Sequence, residues 1–346
     1  MGPVVLVKLK NKRVRPVKKK ALVFCYKLIV SAAFFGGSFF VWDGAMLPPP
    51  GFCNERSAKD SNLENSVAVE EAFEKLKSGD YSEAQKSFQE ILELDPNNQT
   101  VCIGLGVSLL YQKKYDDAVE VYKKAIALDS ANPVSYMNMG DVFSAQKKWK
   151  EARGWYEKAN SLGLKHSRFF NNLGMSCFMS GDSESAVIFF RKALEMKKES
   201  KTYQNLGMAY GTLKNFSAAQ EAFLEALKID PSDSYSLSNL GFAQFMTGNP
   251  QKGIRTIEMV LKRSPQDSLA HNNLGVIYLA LKNYDAALSH LSEAGKGMPN
   301  DADVYNNTGL AYWGKKDKAN AKVMFKKALS LDPDNKNYKH QLELSA

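Results

Sequence analysis

Glycine recurs along most of the chain at a nearly constant interval, and this interval constrains the fold more than any other feature. Successive glycines of the series are separated by 34, 34, 33, 34, 34 and 34 residues. A small residue, usually alanine, follows most of these glycines after twelve residues and again after seven more. Such a period indicates a stack of short units that each pack on their neighbours. The glycines are Gly106, Gly140, Gly174, Gly207, Gly241, Gly275 and Gly309.

The pattern resembles the tetratricopeptide repeat (TPR), a helix–turn–helix of 34 residues with small residues where its two helices touch. The resemblance predicts an all-α fold, a right-handed TPR superhelix (α-solenoid) of eight repeats over residues 65–335. A capping helix is expected over residues 336–346. The predicted units are 65–98, 99–132, 133–166, 167–199, 200–233, 234–267, 268–301 and 302–335. Below, a unit position counts from the first residue of its unit.

The N-terminal part has a different composition. Residues 1–27 contain nine Lys or Arg and no Asp or Glu, whereas the rest of the chain is formally neutral. We therefore predict a basic cytoplasmic tail (1–20), a transmembrane signal anchor (21–42) and a proline-containing linker (43–64). The repeats would then lie on the non-cytoplasmic, periplasmic side. The alternative is a cleaved signal peptide that releases the repeats into the periplasm.

Composition and motifs argue against catalysis. The four cysteines have no CxxC spacing, only four histidines occur, and no phosphate-binding loop, HExxH or GxSxG sequence is present. Cys102 and Cys177 stand where other units carry aromatic residues and are interpreted as packing residues. The neutral repeat region disfavours nucleic acid as a partner. We predict no enzyme activity, no cofactor and no metal site.

One unit position is asparagine in six consecutive units, and we call these six residues the asparagine ladder. At about 100° per residue, this sixth position points away from the apolar positions of the first helix. It is therefore expected to face outward, onto the inner surface of the array. Neighbouring positions vary freely, so constancy at this one favours a function. The asparagine ladder is Asn138, Asn172, Asn205, Asn239, Asn273 and Asn307.

An asparagine amide has one acceptor and two donors, so it can pair with the C=O and N–H of an extended peptide. The ladder is similar to one in the TPR arm of O-linked N-acetylglucosamine transferases. That resemblance implies that it grips the backbone of extended polypeptide. The catalytic domain of that family has no counterpart in this chain. Met175, Met208 and Phe242 at the ninth position predict an adaptable apolar lining of the same peptide-binding surface.

These features predict a non-enzymatic, membrane-anchored scaffold that binds extended polypeptide segments in its concave groove. Cell-envelope assembly, secretion or pilus biogenesis is the expected setting. Two alternatives stay open: a targeting subunit for a separate glycosyltransferase or other enzyme, and a self-assembling structural coat. The predicted partners are proteins or peptides in the groove, the membrane through residues 21–42, and a second copy of the chain.

Overall fold

The computed structural model describes residues 63–345, which form seventeen α-helices and no strand. The predicted tail (1–20), membrane segment (21–42) and nearly all of the linker lie outside these residues. The first helices of the units are α1 (Leu63–Ser78), α3 (Gln99–Tyr111), α5 (Pro133–Ala145), α7 (Ser167–Met179), α9 (Ser200–Thr212), α11 (Ser234–Met246), α13 (Ser268–Ala280) and α15 (Ala302–Gly314). The second helices are α2 (Tyr81–Leu94), α4 (Tyr115–Leu128), α6 (Trp149–Ser161), α8 (Ser183–Met196), α10 (Phe216–Ile229), α12 (Pro250–Arg263), α14 (Tyr284–Gly297) and α16 (Lys318–Leu331), and α17 (Lys336–Leu344) follows the last pair.

The eight predicted helix pairs are thus confirmed, and α1 begins two residues before the predicted boundary at residue 65. Short polar side chains start many of the helices. Asp233 accepts a hydrogen bond from Ser236 N (2.9 Å) and Asp267 from Ala270 N (2.8 Å). These bonds satisfy backbone donors that have no partner within the first helical turn.

Each first helix ends in the same backbone turn. The residue at position 15 has a left-handed conformation in all eight units, with φ between 59° and 94°. In unit 3, Lys147 N–H donates to Ser144 O and Lys148 N–H to Phe143 O, both at 2.9 Å. This hydrogen-bond pair reverses the chain into the second helix. The position-15 residues are Gly79, Lys113, Lys147, Gly181, Lys214, Gly248, Lys282 and Lys316.

Close packing between the two helices of a unit explains the glycine series. A Cβ built on Gly140 would lie 2.6 Å from the ring of Tyr156, and one on Gly106 would lie 2.5 Å from Tyr122. Only a residue without a side chain lets the first helix approach the ring of the second this closely. The predicted alanine positions are also buried, which confirms their place at the helix crossings.

The two helices of a unit differ in burial. In α6 only Ala152, Tyr156 and Ala159 are buried, so this helix keeps one face in solvent. In α5 most residues are buried, including polar ones such as Ser135 and Asn138. In units 2 to 5 and in unit 8, the first helix packs on its own second helix, on the preceding second helix and on a neighbouring first helix.

The described chain divides into two compact bodies, residues 63–253 and residues 254–345. The first holds units 1 to 5 and the first helix of unit 6. The second holds most of α12, units 7 and 8, and α17, where Tyr338 is buried. Within residues 63–345 no helix is long and apolar enough to cross a membrane.

Candidate peptide-binding surface

The asparagine ladder occupies equivalent places on the first helices of both bodies. Residues 63–253 carry its first four members, from Asn138 to Asn239, and residues 254–345 carry Asn273 and Asn307. In residues 63–253 the helices α3, α5, α7 and α9 pack side by side in this order, and in residues 254–345 α13 packs beside α15, so the sixth positions of these helices follow one another.

The expectation that the ladder side chains face outward is wrong for most of them. Five of the six are at most 5% exposed, and only Asn172 is half-buried. The projection of a single helix treats the side away from the core as solvent. An interior first helix is covered on more than one side, so this inference does not hold.

Some ladder amides have partners within the chain. Asn205 Nδ2 donates to Asn171 Oδ1 (2.9 Å), and Asn172 Nδ2 donates to Asp141 Oδ1 (3.1 Å). Both bonds join the first helices of adjacent units. Asn172 and Asn205 therefore help to fix the packing of α7 against α5 and of α9 against α7.

Several ladder amides, among them the amide of Asn205, are buried with at least one polar atom that makes no hydrogen bond among the described residues. These are Nδ2 of Asn138, Oδ1 of Asn205, Oδ1 of Asn239 and both amide atoms of Asn307. A buried polar atom without a partner destabilises a fold by about 1–3 kcal/mol. These atoms share one unit position in units 3, 5, 6 and 8, so they form an interrupted series of unused hydrogen-bonding groups.

The predicted apolar lining is largely buried as well. Met208 and Phe242 are almost fully buried, and Met175 is half-buried. The ring of Phe242 lies 6.2 Å from that of Phe245 in the same helix. Apolar side chains therefore lie one turn away from the ladder on α7, α9 and α11.

A buried charged network interrupts this lining in unit 3, where the ninth position is Asp141 instead of an apolar residue. Asp141 is 1% exposed and accepts bonds from Tyr156 Oη (2.5 Å), Arg168 Nη2 (3.1 Å) and Asn172 Nδ2. Burial and then the charge of Asp141 raise the pKa of Tyr156 well above its usual value, so this hydroxyl stays a donor. Three donors compensate the buried carboxylate.

Two groups of buried polar residues were not predicted from the sequence: asparagines at the fifth unit position, and the network around Asp141. Asn272 and Asn306, at the fifth position, are buried and also carry amide atoms without a partner among the described residues. The signal was available as the dipeptide Asn-Asn, which occurs at the fifth and sixth positions of units 4, 7 and 8. The Asp141 network had no repeated signal because it occurs in a single unit.

The cysteines and histidines do not form a reactive site in residues 63–345. Cys102 and Cys177 are fully buried, as predicted for packing residues, and burial raises the pKa of Cys177 to about 11. His271 and His290 lie together, with their Nδ1 atoms 2.9 Å apart. No cluster of three or more metal-ligating side chains occurs in this part of the chain.

Repeated pairs of short helices, most of them closed by a contact between a glycine and a ring, define an all-helical repeat protein. Family models match the chain over several segments. A model described as "TPR repeat" matches residues 106–147, and models described as "Tetratricopeptide repeat" match 72–98, 167–200, 200–233, 245–298 and 302–335. The chain belongs to the tetratricopeptide repeat family.

Solved structures share this fold at low sequence identity. The crystal structure of the Cut9–Hcn1 hetero-tetramer of APC/C matches 83% of the chain at 22% identity with a TM-score of 0.55, and the chain spans 57% of it. The structure from the functional characterisation of Pseudomonas aeruginosa pilF matches 60% of the chain and 94% of its own, at 19% identity and a TM-score of 0.53. YrrB, a TPR protein with an unusual peptide-binding site, matches 53% of the chain and 95% of its own, at 22% identity and a TM-score of 0.50. No curated protein matches the chain.

Proposed function

We propose that the protein is a non-enzymatic scaffold whose asparagine ladder binds the backbone of extended polypeptide. The observation that carries this proposal is the series of buried amide atoms without partners at Asn138, Asn205, Asn239 and Asn307. A peptide group presents one N–H, which Oδ1 of Asn205 or Asn239 could accept, and one C=O, to which Nδ2 of Asn138 could donate. Binding would therefore give partners to buried polar atoms that destabilise the unbound protein.

Backbone recognition makes the partner's sequence secondary. Hydrogen bonds to the main chain do not distinguish one side chain from another, so the ladder would accept segments of varied sequence. Selectivity would come from the apolar residues beside it, Met175, Met208 and Phe242. Methionine adapts its shape to different partners, as in other promiscuous binding surfaces.

The spacing of the ladder sets the length of the bound segment. Neighbouring helices pack about 8–10 Å apart, so the four ladder residues of residues 63–253 span three intervals, or about 30 Å. An extended peptide advances about 3.3 Å per residue. This body would therefore engage about nine residues of polypeptide.

Burial of the ladder implies that binding is coupled to a rearrangement. A ligand reaches Asn205 or Asn239 only by displacing the groups that cover them. Association should then be slower than the usual range for rigid partners, about 10⁵–10⁷ M⁻¹s⁻¹. Slow association with two peptides of unrelated sequence would support this coupling.

The proposal also includes a location at a membrane. Residues 21–42 would anchor the protein in a membrane, with the repeats outside the cytoplasm, and cell-envelope assembly, secretion or pilus biogenesis would be the setting. The similar fold of YrrB, with its peptide-binding site, supports the peptide-binding part of the proposal by analogy. Alkaline extraction of membranes and N-terminal sequencing of the mature chain test the location. A soluble chain with a new N-terminus would establish a cleaved signal instead.

The ladder is tested with the full chain in detergent and two labelled peptides of unrelated, unstructured sequence, selected from a random library by binding. We expect Asn138→Ala combined with Asn239→Ala to weaken both peptides similarly, by about 0.5–1.5 kcal/mol per lost hydrogen bond. Thermal stability should change little, because the substitutions remove two buried amide atoms without partners together with one bond, from Asn239 Nδ2 to Tyr235 O (3.1 Å). Asn172→Ala should instead lower stability, since it breaks the bond to Asp141.

Asn160→Ala, on the second helix of unit 3, is the matched control and should change neither affinity. Unchanged affinity of both peptides for the Asn138, Asn239 double variant would exclude the ladder as the binding site. Affinity purification from cells distinguishes the main alternative. Recovery of one stoichiometric enzyme, in place of varied unfolded segments, would favour a targeting subunit.

A further inference from the structure

The last second helix is followed by a shorter described segment than its counterparts. Each earlier second helix of the array is followed by a complete helix pair, whereas α16 is followed among the described residues by the nine-residue α17 alone. An open cavity of about 340 Å³ lies between α16 and α17. Its lining residues are Lys322, Lys326, Leu329, Lys339, Leu342 and Glu343.

This C-terminal face combines an apolar floor with a basic rim. Leu329 and Leu342 are half-buried, and three lysines outnumber one glutamate around them. None of the three lysines forms an ion pair with another described residue. In addition, α16 contains four lysines and no acidic residue. The face is therefore positively charged and suits an acidic helix that carries an apolar residue.

The first helix presents the opposite combination. Its outer face forms an open cavity of about 600 Å³ lined by Val67, Glu70, Glu71, Glu74, Lys75 and Ser78. These residues recur every three or four positions and so make one stripe along α1. Val67 is 50% exposed, and three glutamates outnumber one lysine.

The carboxylates of this stripe are only partly compensated within the chain. Glu74 pairs with Lys77 (2.5 Å), and Lys75 Nζ donates to Ser87 Oγ (2.9 Å). Glu70 and Glu71 form no ion pair with a described residue. The N-terminal face thus has an excess of two negative charges, which equals the excess of two positive charges at the C-terminal face.

We propose that the N-terminal face of one copy docks on the C-terminal face of a second copy. Both faces are places where the interior of the array would continue with another helix pair, so unit-to-unit packing supplies the geometry. Each face has an apolar centre surrounded by charged side chains. The excess charge is positive on one face and negative on the other. A partner of one charge would fit one face, whereas a second copy satisfies both. Such a head-to-tail contact is heterologous and leads to a ring or a filament. This inference is independent of peptide binding by the ladder.

Sedimentation velocity of the full chain in detergent tests the proposal. Association should rise with protein concentration at low salt and weaken at high salt, because salt screens exposed charges. Lys322→Glu with Lys326→Glu, and separately Glu70→Lys with Glu71→Lys, should each lower the association constant at least tenfold. Circular dichroism should show unchanged helicity in both variants.

Mixing the two variants provides the decisive measurement. One variant has two acidic faces and the other two basic faces, so the mixture restores both contacts while each variant alone stays dissociated. A fold defect would not be rescued in this way. The proposal is overturned if the unaltered chain stays monomeric at low salt, if either reversal leaves association unchanged, or if the mixture does not associate.

Discussion

Gly207 and Phe223 lie so close that a Cβ on the glycine would come within 2.7 Å of the phenylalanine ring. Phe223 is fully buried, so its ring has no free space into which to move. The contact joins the first and second helices of unit 5, equivalent contacts close units 2, 3, 4 and 8, and in unit 7 Leu291 takes the place of the ring. Glycine at this position is therefore a packing requirement of these six helix pairs.

Gly207→Ala should destabilise the protein although alanine is the better helix former. The added methyl group overpacks the contact with Phe223, which typically costs about 1–3 kcal/mol. Gly154→Ala is the matched control, because nothing lies within 4 Å of a Cβ there and α6 would gain about 0.5–1 kcal/mol from the substitution. Chemical denaturation of both variants measures the difference. An unchanged midpoint for Gly207→Ala would contradict the packing requirement.

Tyr156→Phe should lower the free energy of unfolding. It removes the hydroxyl that donates to Asp141 and leaves this buried carboxylate less compensated, at a cost of about 1–3 kcal/mol. Tyr122→Phe, at the same position of unit 2, is the control. The Tyr122 hydroxyl is buried and has no partner among the described residues, so its removal should be neutral or stabilising. Equal losses in the two variants would show that Asp141 does not depend on Tyr156.

The pair His271 and His290 should make unit 7 sensitive to acid. His271 Nε2 lies 2.9 Å from Pro265 O, so it carries a proton, and Nδ1 of the neutral ring accepts from His290 Nδ1–H. Burial and then His271 lower the pKa of His290 from 6.5, and the ring stacks on Tyr278. Because the folded protein binds the proton less readily, the stability is present above pH 6.5 and is lost as pH falls through the lowered pKa.

Thermal unfolding between neutral and mildly acidic pH measures this effect. The midpoint of the unaltered protein should fall as pH decreases, and His290→Gln should flatten the fall, since glutamine can donate to His271 without titrating. His340→Gln changes an exposed histidine and should leave the pH profile unaltered. An equal fall in all three proteins would assign the effect to other groups.

Asp303→Asn should stabilise the C-terminal end at neutral pH. Asp303 accepts a bond from Tyr338 Oη (2.5 Å), which attaches α17 to unit 8. Burial is the main cause that raises the pKa of Asp303 above 3.8. The stability is therefore complete below pH 3.8 and is lost as pH rises through the raised pKa. Asparagine keeps the acceptor without the charge, so hydrogen exchange in α17 should slow at neutral pH. Faster exchange would mean that the ionised form is the one that holds Tyr338.

The repeated residues made most of the fold predictable, whereas the contacts of single units were not. Glycine at position 8 and an aromatic residue at position 24 recur in most units, so their contact appears as a period in the sequence. The Asp141 network occurs once, and His271 and His290 are nineteen residues apart with no repeated counterpart. For the ladder, the sequence predicts the shared unit position but not the burial. The burial of Asn239 depends on neighbouring helices, which the projection of a single helix omits.

The left-handed residue at position 15 divides the units into two groups. Three units place glycine there and five place lysine, although this conformation costs a residue with a Cβ about 1–2 kcal/mol. Units ending their first helix at lysine should open locally more often than those ending at Gly181 or Gly248. Exchanging lysine for glycine at this turn would change how fast a unit opens while leaving the inner surface and the terminal faces untouched. The rate at which single units open can thus change without a change in the surfaces that bind partners.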